Sequence, residues 1–252
     1  MSGIAGIVRA GQTEQVSRML DRLSHRGSHW CEIREAEGTT LGVLGSQIQQ
    51  ADLKELPKGI VRDQASAGHF AQAQAQNGGF ELQRDTLGGR PLYYGWTSDG
   101  AFCFASEVKG MLAVTRDIHE MPPGYSFDGG KMTKNAEITV QPELNESAET
   151  IARELRRRLE SSVQARIGNG DVGSWLSGGL DSSVMVALAR PHVSKLHTFA
   201  AGMAGAPDLE FARVAAEFLH AEHHERVIQP EEMFASLSDV IYALESFDAW
   251  LI

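Results

Sequence analysis

Cysteine is scarce in this chain: Cys31 and Cys103 are the only two among 252 residues. Two are too few for a disulfide framework or a cysteine-built zinc site, and such sparing use fits a reducing compartment. Basic charge is short as well. Twenty-three Lys and Arg stand against 33 Asp and Glu, a net charge of −10, so no broad basic face is available for duplex nucleic acid and none is expected as a partner. Long apolar runs are missing: nothing approaches the ~20 residues of a membrane-spanning helix. The opening residues Met1–Val8 have no basic stretch leading into a long apolar core, which argues against a secretory signal. A soluble, cytoplasmic protein without a membrane partner is expected. What remains is an ordinary globular composition, 42% hydrophobic and 22% charged, in a length that suits one or two domains.

Residues 1–140 read as strand-rich. Ile4, Ile7 and Val8 suit a short opening strand, and Val16, Met19, Leu20 and Leu23 recur at helical spacing. Short apolar runs follow at Thr40–Leu44, Gly79–Leu82, Pro91–Gly95 and Ala101–Ala105, separated by glycine-rich breaks. The segment Gln47–Gln76 is polar, glutamine-rich and poorly periodic, and it predicts no element. The pattern changes near Pro142. Asn145 or Ser147 can cap a helix whose Ile151, Leu155, Leu159 and Val163 form one stripe, expected to be buried. Gly168-Asn169-Gly170 ends it, and strands at Val172–Leu176, His197–Ala201 and His223–Ile228 then alternate with helices at Ser182–Ala189, Leu209–Leu219 and Glu231–Leu244. Such alternation predicts a parallel sheet covered on both faces, with a domain boundary at about residues 141–147.

The string Leu176-Ser177-Gly178-Gly179-Leu180-Asp181-Ser182-Ser183 joins a predicted strand to a predicted helix. Two glycines let the backbone turn tightly and approach a ligand. The helix start offers free N–H groups and partial positive charge, which suit a phosphate even in an acidic chain. Asp181 would repel that phosphate unless a Mg²⁺ stood between them. The absence of a lysine excludes a Walker A loop. The plainer reading is a serine-rich turn capping a helix.

At this string the chain resembles the ATP pyrophosphatases, in which Ser-Gly-Gly-x-Asp-Ser binds the pyrophosphate of ATP, and more of it is similar to the asparagine synthetase branch. The further matches are His197–Gly202, Ala206-Pro207-Asp208-Leu209, Ala221–Glu225 and Ile241–Asp248. The resemblance implies ATP and Mg²⁺ as cofactors. Leu176, Ser177, Gly178, Gly179, Leu180, Asp181, Ser182, Ser183 and Ala201 would bind ATP, with Asp181 also holding Mg²⁺. Plainer roles compete for the flanking residues: Asp208 as a helix N-cap, and Glu245 with Asp248 as a solvated helix face. His223 and His224 are adjacent on a strand and point to opposite faces, so at most one can join a given site.

The amino-terminal part is similar to class II glutamine amidotransferase domains. The resemblance rests on Gly3–Ile7, Leu23-Ser24-His25-Arg26-Gly27, Arg84–Tyr94, Phe104–Lys109 and Pro122-Pro123-Gly124. It implies an α+β Ntn-hydrolase-like four-layer sandwich over residues 1–142. An α/β parallel-sheet domain of the ATP pyrophosphatase, adenine nucleotide alpha hydrolase-like type would follow over 143–252, incomplete at its C-terminus. Three departures stand out. The family's nucleophilic cysteine after the initiator Met is Ser2 here, a weaker nucleophile and the one catalytic candidate of this domain. The arginine of an Arg-Leu-Ala-Ile stretch is absent from Leu44–Gln50, and the Asn-Gly-Glu-Ile-Tyr-Asn loop has no counterpart. A glutaminase-inactive domain is therefore expected.

The resemblance implies a carbon–nitrogen ligase forming an amide from aspartate, ATP and a nitrogen donor, releasing AMP and PPi, with ammonia favoured over glutamine. Another carboxylate, as in β-lactam-forming relatives, is an alternative acceptor. The family's later Ser-Gly-Glu-Gly-Ser-Asp motif and lysine do not occur before Ile252. A truncated gene, a split enzyme or an incomplete sequence is expected, and with it either a separate C-terminal synthetase half or a homo-oligomer as partner.

Overall fold

The computed structural model describes residues 2–47, 56–66, 68–76, 78–168 and 170–246. The chain divides into two compact units, Met1–Gln141 and Pro142–Ile252. In chain order the first holds β1 (Ser2–Ile7), α1 (Thr13–Asp21), β2 (Trp30–Ala36), β3 (Thr39–Gly45), β4 (Ile60–Ser66), β5 (His69–Gln76), β6 (Gly79–Arg84), β7 (Tyr93–Trp96) and β8 (Phe102–Ala105). After these come the short α2 (Val108–Met111), β9 (His119–Glu120), β10 (Tyr125–Phe127) and β11 (Met132–Lys134).

These strands form two sheets, one of six in the order β2-β3-β1-β8-β7-β9 and one of five in the order β11-β10-β6-β5-β4. Every pairing among them is antiparallel. Strand β1 is buried along its whole length, because alternate side chains serve different layers. Ile4 joins Leu41, Val43, Leu82, Phe102 and Phe104 between the sheets. Ala5 and Ile7 join Val16, Met19, Leu20 and Leu23 under α1. Burying each large apolar side chain of this kind contributes about 1.5–3 kcal/mol.

Strands β4 and β5 occupy part of the segment in which the sequence predicts no element. The period of two is there, but its inward members are small. Ala71, Ala73 and Ala75 face the core, while Gln72, Gln74 and Gln76 form a side-chain ladder with contacts of 3.5 and 3.3 Å on the other face. Arg62 Nε donates to Gln72 there at 2.7 Å. Apart from half-buried Ile60 and Phe70, the latter under the Arg62 guanidinium, this face is polar and offers a helix little to bury. The four-layer expectation is accordingly met by three layers among the described residues: α1 with α2, then the two sheets.

The second unit opens with α3 (Ala148–Gln164), whose Ser147 cap accepts from Thr150 N at 3.2 Å. Its expected stripe is mostly uncovered: of the four residues only Val163 is buried, Leu159 is half-buried, and Ile151 and Leu155 are exposed. Then come β12 (Asp171–Trp175), α4 (Leu180–Ala189), β13 (Lys195–Met203), α5 (Pro207–Phe218), β14 (Glu222–Ile228) and α6 (Pro230–Leu244). The strands make a parallel sheet in that order. Leu176, Leu196 and Ala200 pack with Val186 of α4 and with Leu209, Ala212 and Ala216 of α5. Coverage on both faces is not found among the described residues. The opposite face leaves Trp175 75% and Phe199 38% exposed, since no described helix packs there. None of the described helices is long and apolar enough to cross a membrane.

Candidate functional site

The serine–glycine string leaves the carboxyl end of β12 and turns into α4. In open parallel sheets that end is where ligands bind. Gly178 adopts φ +78°, and a Cβ there would stand 2.5 Å from backbone atoms of Phe211 and Ala212 on α5. Only glycine therefore lets the turn lie against that helix. Gly179 is the N-cap of α4 in an extended conformation. The hydroxyls brace the turn: Ser177 Oγ and Ser182 Oγ are 2.9 Å apart, and Ser182 Oγ accepts from Ser177 N at 3.2 Å. Ser177 Oγ also accepts from Gly179 N at 3.3 Å.

A cavity of about 190 Å³ opens beside this turn, lined by Trp175, Leu176, Ser177, Phe199, Ala200, Ala201, Asp208 and Leu209. It brings Leu176, Ser177 and Ala201 together, although Ala201 lies on the next strand. Leu180 and Ser183 instead line an apolar groove with Val184, Ala187, Ala215, Phe218 and Leu219. Asp208 is not an N-cap: Ala206 occupies that position and Pro207 begins α5, which leaves the Asp208 carboxylate free to line the cavity. Asp181 stands exposed in the first turn of α4. Carboxylate and hydroxyl oxygens are hard donors, and that set fits Mg²⁺ rather than a soft metal. Glu245 ends α6 with φ 53°. Its expected companion Asp248 lies outside the described residues, as do Ile48–Gln50 and Trp250–Ile252.

In the first unit Ser2 is fully buried. Its hydroxyl donates to Asp63 Oδ1 at 2.8 Å and accepts from Gln64 N at 3.3 Å. Asp63 is itself fully buried and ion-paired with Arg26, whose Nε donates to the Ser2 carbonyl at 2.8 Å. Arg26 also donates to Glu107 at 2.7 Å, and Lys109 does the same from the other side at 2.7 Å. Burial pushes the Glu107 carboxyl up, but the bonds from Lys109 and Arg26 outweigh it and hold the group below its ordinary 4.5. Burial likewise disfavours the Arg26 cation, yet Asp63 and Glu107 raise its pKa on balance. Removing one partner from a buried pair of this kind costs about 3–5 kcal/mol. Both cysteine thiols are shifted away from the thiolate form. Burial, with Asp117 adding, pushes the Cys103 thiol up to about 12, and burial raises Cys31 too.

Asp63 is the member of this network that sequence reasoning missed. It sits in the polar segment, and its only signal was a lone acid between the apolar Val61 and the glutamines. Arg26, Glu107 and Lys109 belong to matched motifs, and the structure gives them buried ion pairs. The matched Arg84–Tyr94 motif is also architectural. Arg84 donates to the Arg90 carbonyl at 2.7 Å and to Met121 O at 2.6 Å, and Asp85 accepts from Phe70 N at 3.1 Å and Leu87 N at 3.0 Å. Gly88, at φ +64°, leaves no room for a Cβ against Pro123.

Comparison with known proteins gives two family matches. The asparagine synthase model matches residues 154–250, and the glutamine amidotransferase domain model matches residues 59–113. Asparagine synthetase [glutamine-hydrolyzing] 1 of Arabidopsis thaliana is 32% identical over 73% of this chain and 34% of its own length. Asparagine synthetase B of Escherichia coli is 32% identical over 73% of this chain and 36% of its own. A probable asparagine synthetase of Schizosaccharomyces pombe is 35% identical over 67% and 35%. The chain thus spans about a third of the length of these curated relatives. Among solved structures, glutamine phosphoribosylpyrophosphate amidotransferase from B. subtilis aligns over 98% of this chain and 94% of its own, with TM-score 0.45 and 11% identity.

Two outcomes are expected from the geometry. Gly178→Ala should destabilise the second unit by about 1–3 kcal/mol, the usual range for a side chain forced into a disfavoured backbone region, and should abolish nucleotide binding. Thermal melts and ATP titration check both. For Glu107, whose folded pKa lies below the ordinary 4.5, the stabilisation is full above that value and is lost as pH falls through the folded pKa. Melts of the wild type between roughly pH 7 and pH 3 should therefore show a loss that Glu107→Gln, weaker already at neutral pH, shows less steeply. Parallel curves would contradict the assignment.

Proposed function

Because the chain belongs to the asparagine synthetase family, we propose that it takes part in ATP-dependent amide formation: a carboxylate, aspartate by the family's precedent, is activated by ATP and aminated, releasing AMP and PPi. The observation that carries this reading is the cavity at the carboxyl ends of β12 and β13, which joins the Ser177 turn to Ala201. Trp175 and Phe199 offer aromatic surface for a nucleobase there. The backbone from Leu176 to Ser183, opening into the N-terminus of α4, suits the pyrophosphate of ATP. Asp181 would hold Mg²⁺ against those phosphates, and the ion would supply charge neutralisation. Asp208, lining the same cavity, orients the ligand by accepting hydrogen bonds.

Ammonia is the proposed nitrogen donor. Ser2 has no exposed surface, and its hydroxyl is spent on Asp63. Asp63 in turn is fully buried and ion-paired with Arg26. A buried hydroxyl on a compensated carboxylate is neither reachable nor activated. A second reading rests on the bare face of the parallel sheet: the chain is a nucleotide-binding half that turns over only when a separate synthetase half completes the site.

The test is AMP and PPi release by the purified chain with Mg-ATP and aspartate, with ammonium or glutamine in parallel. Release with ammonium but not glutamine, unchanged in Ser2→Ala, is expected. Release with glutamine that Ser2→Ala abolishes would overturn the donor assignment. ATP binding without any AMP would select the second reading, and no ATP binding would sink both.

A further inference from the structure

Beside that cavity, on the uncovered face of the parallel sheet, two histidines and a glutamate converge. The cause is strand geometry. Residues two apart on a strand share a face, so Glu222 and His224 of β14 point the same way. The register sets His197 of β13 opposite Glu222. Their donor atoms meet: His197 Nδ1 is 3.1 Å from His224 Nε2 and 3.7 Å from Glu222 Oε1, and His224 Nε2 is 3.5 Å from Glu222 Oε1. Donors held at ~2.0–2.2 Å from a tetrahedral zinc ion stand roughly 3.4 Å from each other, and these three separations bracket that edge.

We propose that His197, Glu222 and His224 bind a divalent transition metal of the zinc class, with water in the remaining position. Imidazole and carboxylate together suit Zn²⁺ over Mg²⁺. The surroundings hold the ligands as outer-shell groups do. Lys195 Nζ takes the other carboxylate oxygen of Glu222 at 2.7 Å, which leaves Oε1 turned to the histidines. Phe199 stacks on the His224 ring at 4.9 Å between centroids. His223 is not a ligand, since its Nδ1 lies 2.9 Å from Thr198 Oγ1 on the covered face. The site is separate from the Mg²⁺ proposed at Asp181, and nothing in it depends on the ATP reading.

The experiment is titration of the tag-free chain with Zn²⁺ alone, in competition with a chromogenic chelator. One equivalent should bind. His197→Ala and His224→Ala should each weaken binding by at least the ~10–100-fold that loss of an outer-shell partner costs, while His192→Ala leaves it unchanged. Absence of binding, or binding that His224→Ala does not weaken, overturns the site. Co²⁺ added to the wild type gives a second readout should a variant fail to fold. An intense visible spectrum of tetrahedral cobalt is expected, and the pale spectrum of octahedral cobalt would contradict the proposal.

Discussion

The buried pair between Arg26 and Asp63 constrains the whole amino-terminal unit. Two charges withdrawn from water must compensate one another or the fold loses several kcal/mol, so everything that touches them is fixed in place. Through Asp63 the pair takes the Ser2 hydroxyl, through Arg26 Nε the Ser2 carbonyl, and through Glu107 the ammonium of Lys109. The first strand, the turn after α1, strand β4 and the start of α2 are thereby tied at one point. A nucleophile needs the reverse: an open approach and a base free to take its proton. The same contacts that stabilise this unit underlie the proposal that ammonia, not glutamine, is the nitrogen donor.

The second unit is organised on the opposite principle. Its turn at Ser177–Ser183 is braced by its own hydroxyls and by the contact of Gly178 with α5, while Asp181 stands exposed beside it and Asp208 lines the cavity. In the amino-terminal unit the matched motifs around Arg26, Arg84 and Glu107 hold the fold through buried polar contacts. In the synthase segment the retained motif is itself the candidate site.

Much of this was legible in the sequence, for identifiable reasons. Strands and helices of the second unit could be read because the apolar runs at Val172–Leu176 and Leu209–Leu219 are bounded by glycine or proline. The turn could be singled out because two glycines, three serines and an acid stand together at a strand–helix junction. Strands β4 and β5 could not, because alanine alternating with glutamine carries little hydrophobic signal even where the period is two. Asp63 was hidden for the same reason. The stripe Ile151–Leu155–Leu159–Val163 has a good helical period and forms its helix, but periodicity predicts a face and not its partner. The same limit applies to the sheet face bearing Trp175 and Phe199. The His197–Glu222–His224 cluster was out of reach for another reason: it needs the register between β13 and β14, which sequence alone does not give.

The most direct measurement is amide chemical-shift mapping of the chain titrated with Mg-ATP. Perturbations concentrated at Leu176–Ser183 and Ala201, weakened when Mg²⁺ is withheld or in Asp181→Asn, are predicted. Perturbations confined to other surfaces, or none at saturating nucleotide, would contradict an ATP site at the carboxyl ends of these strands.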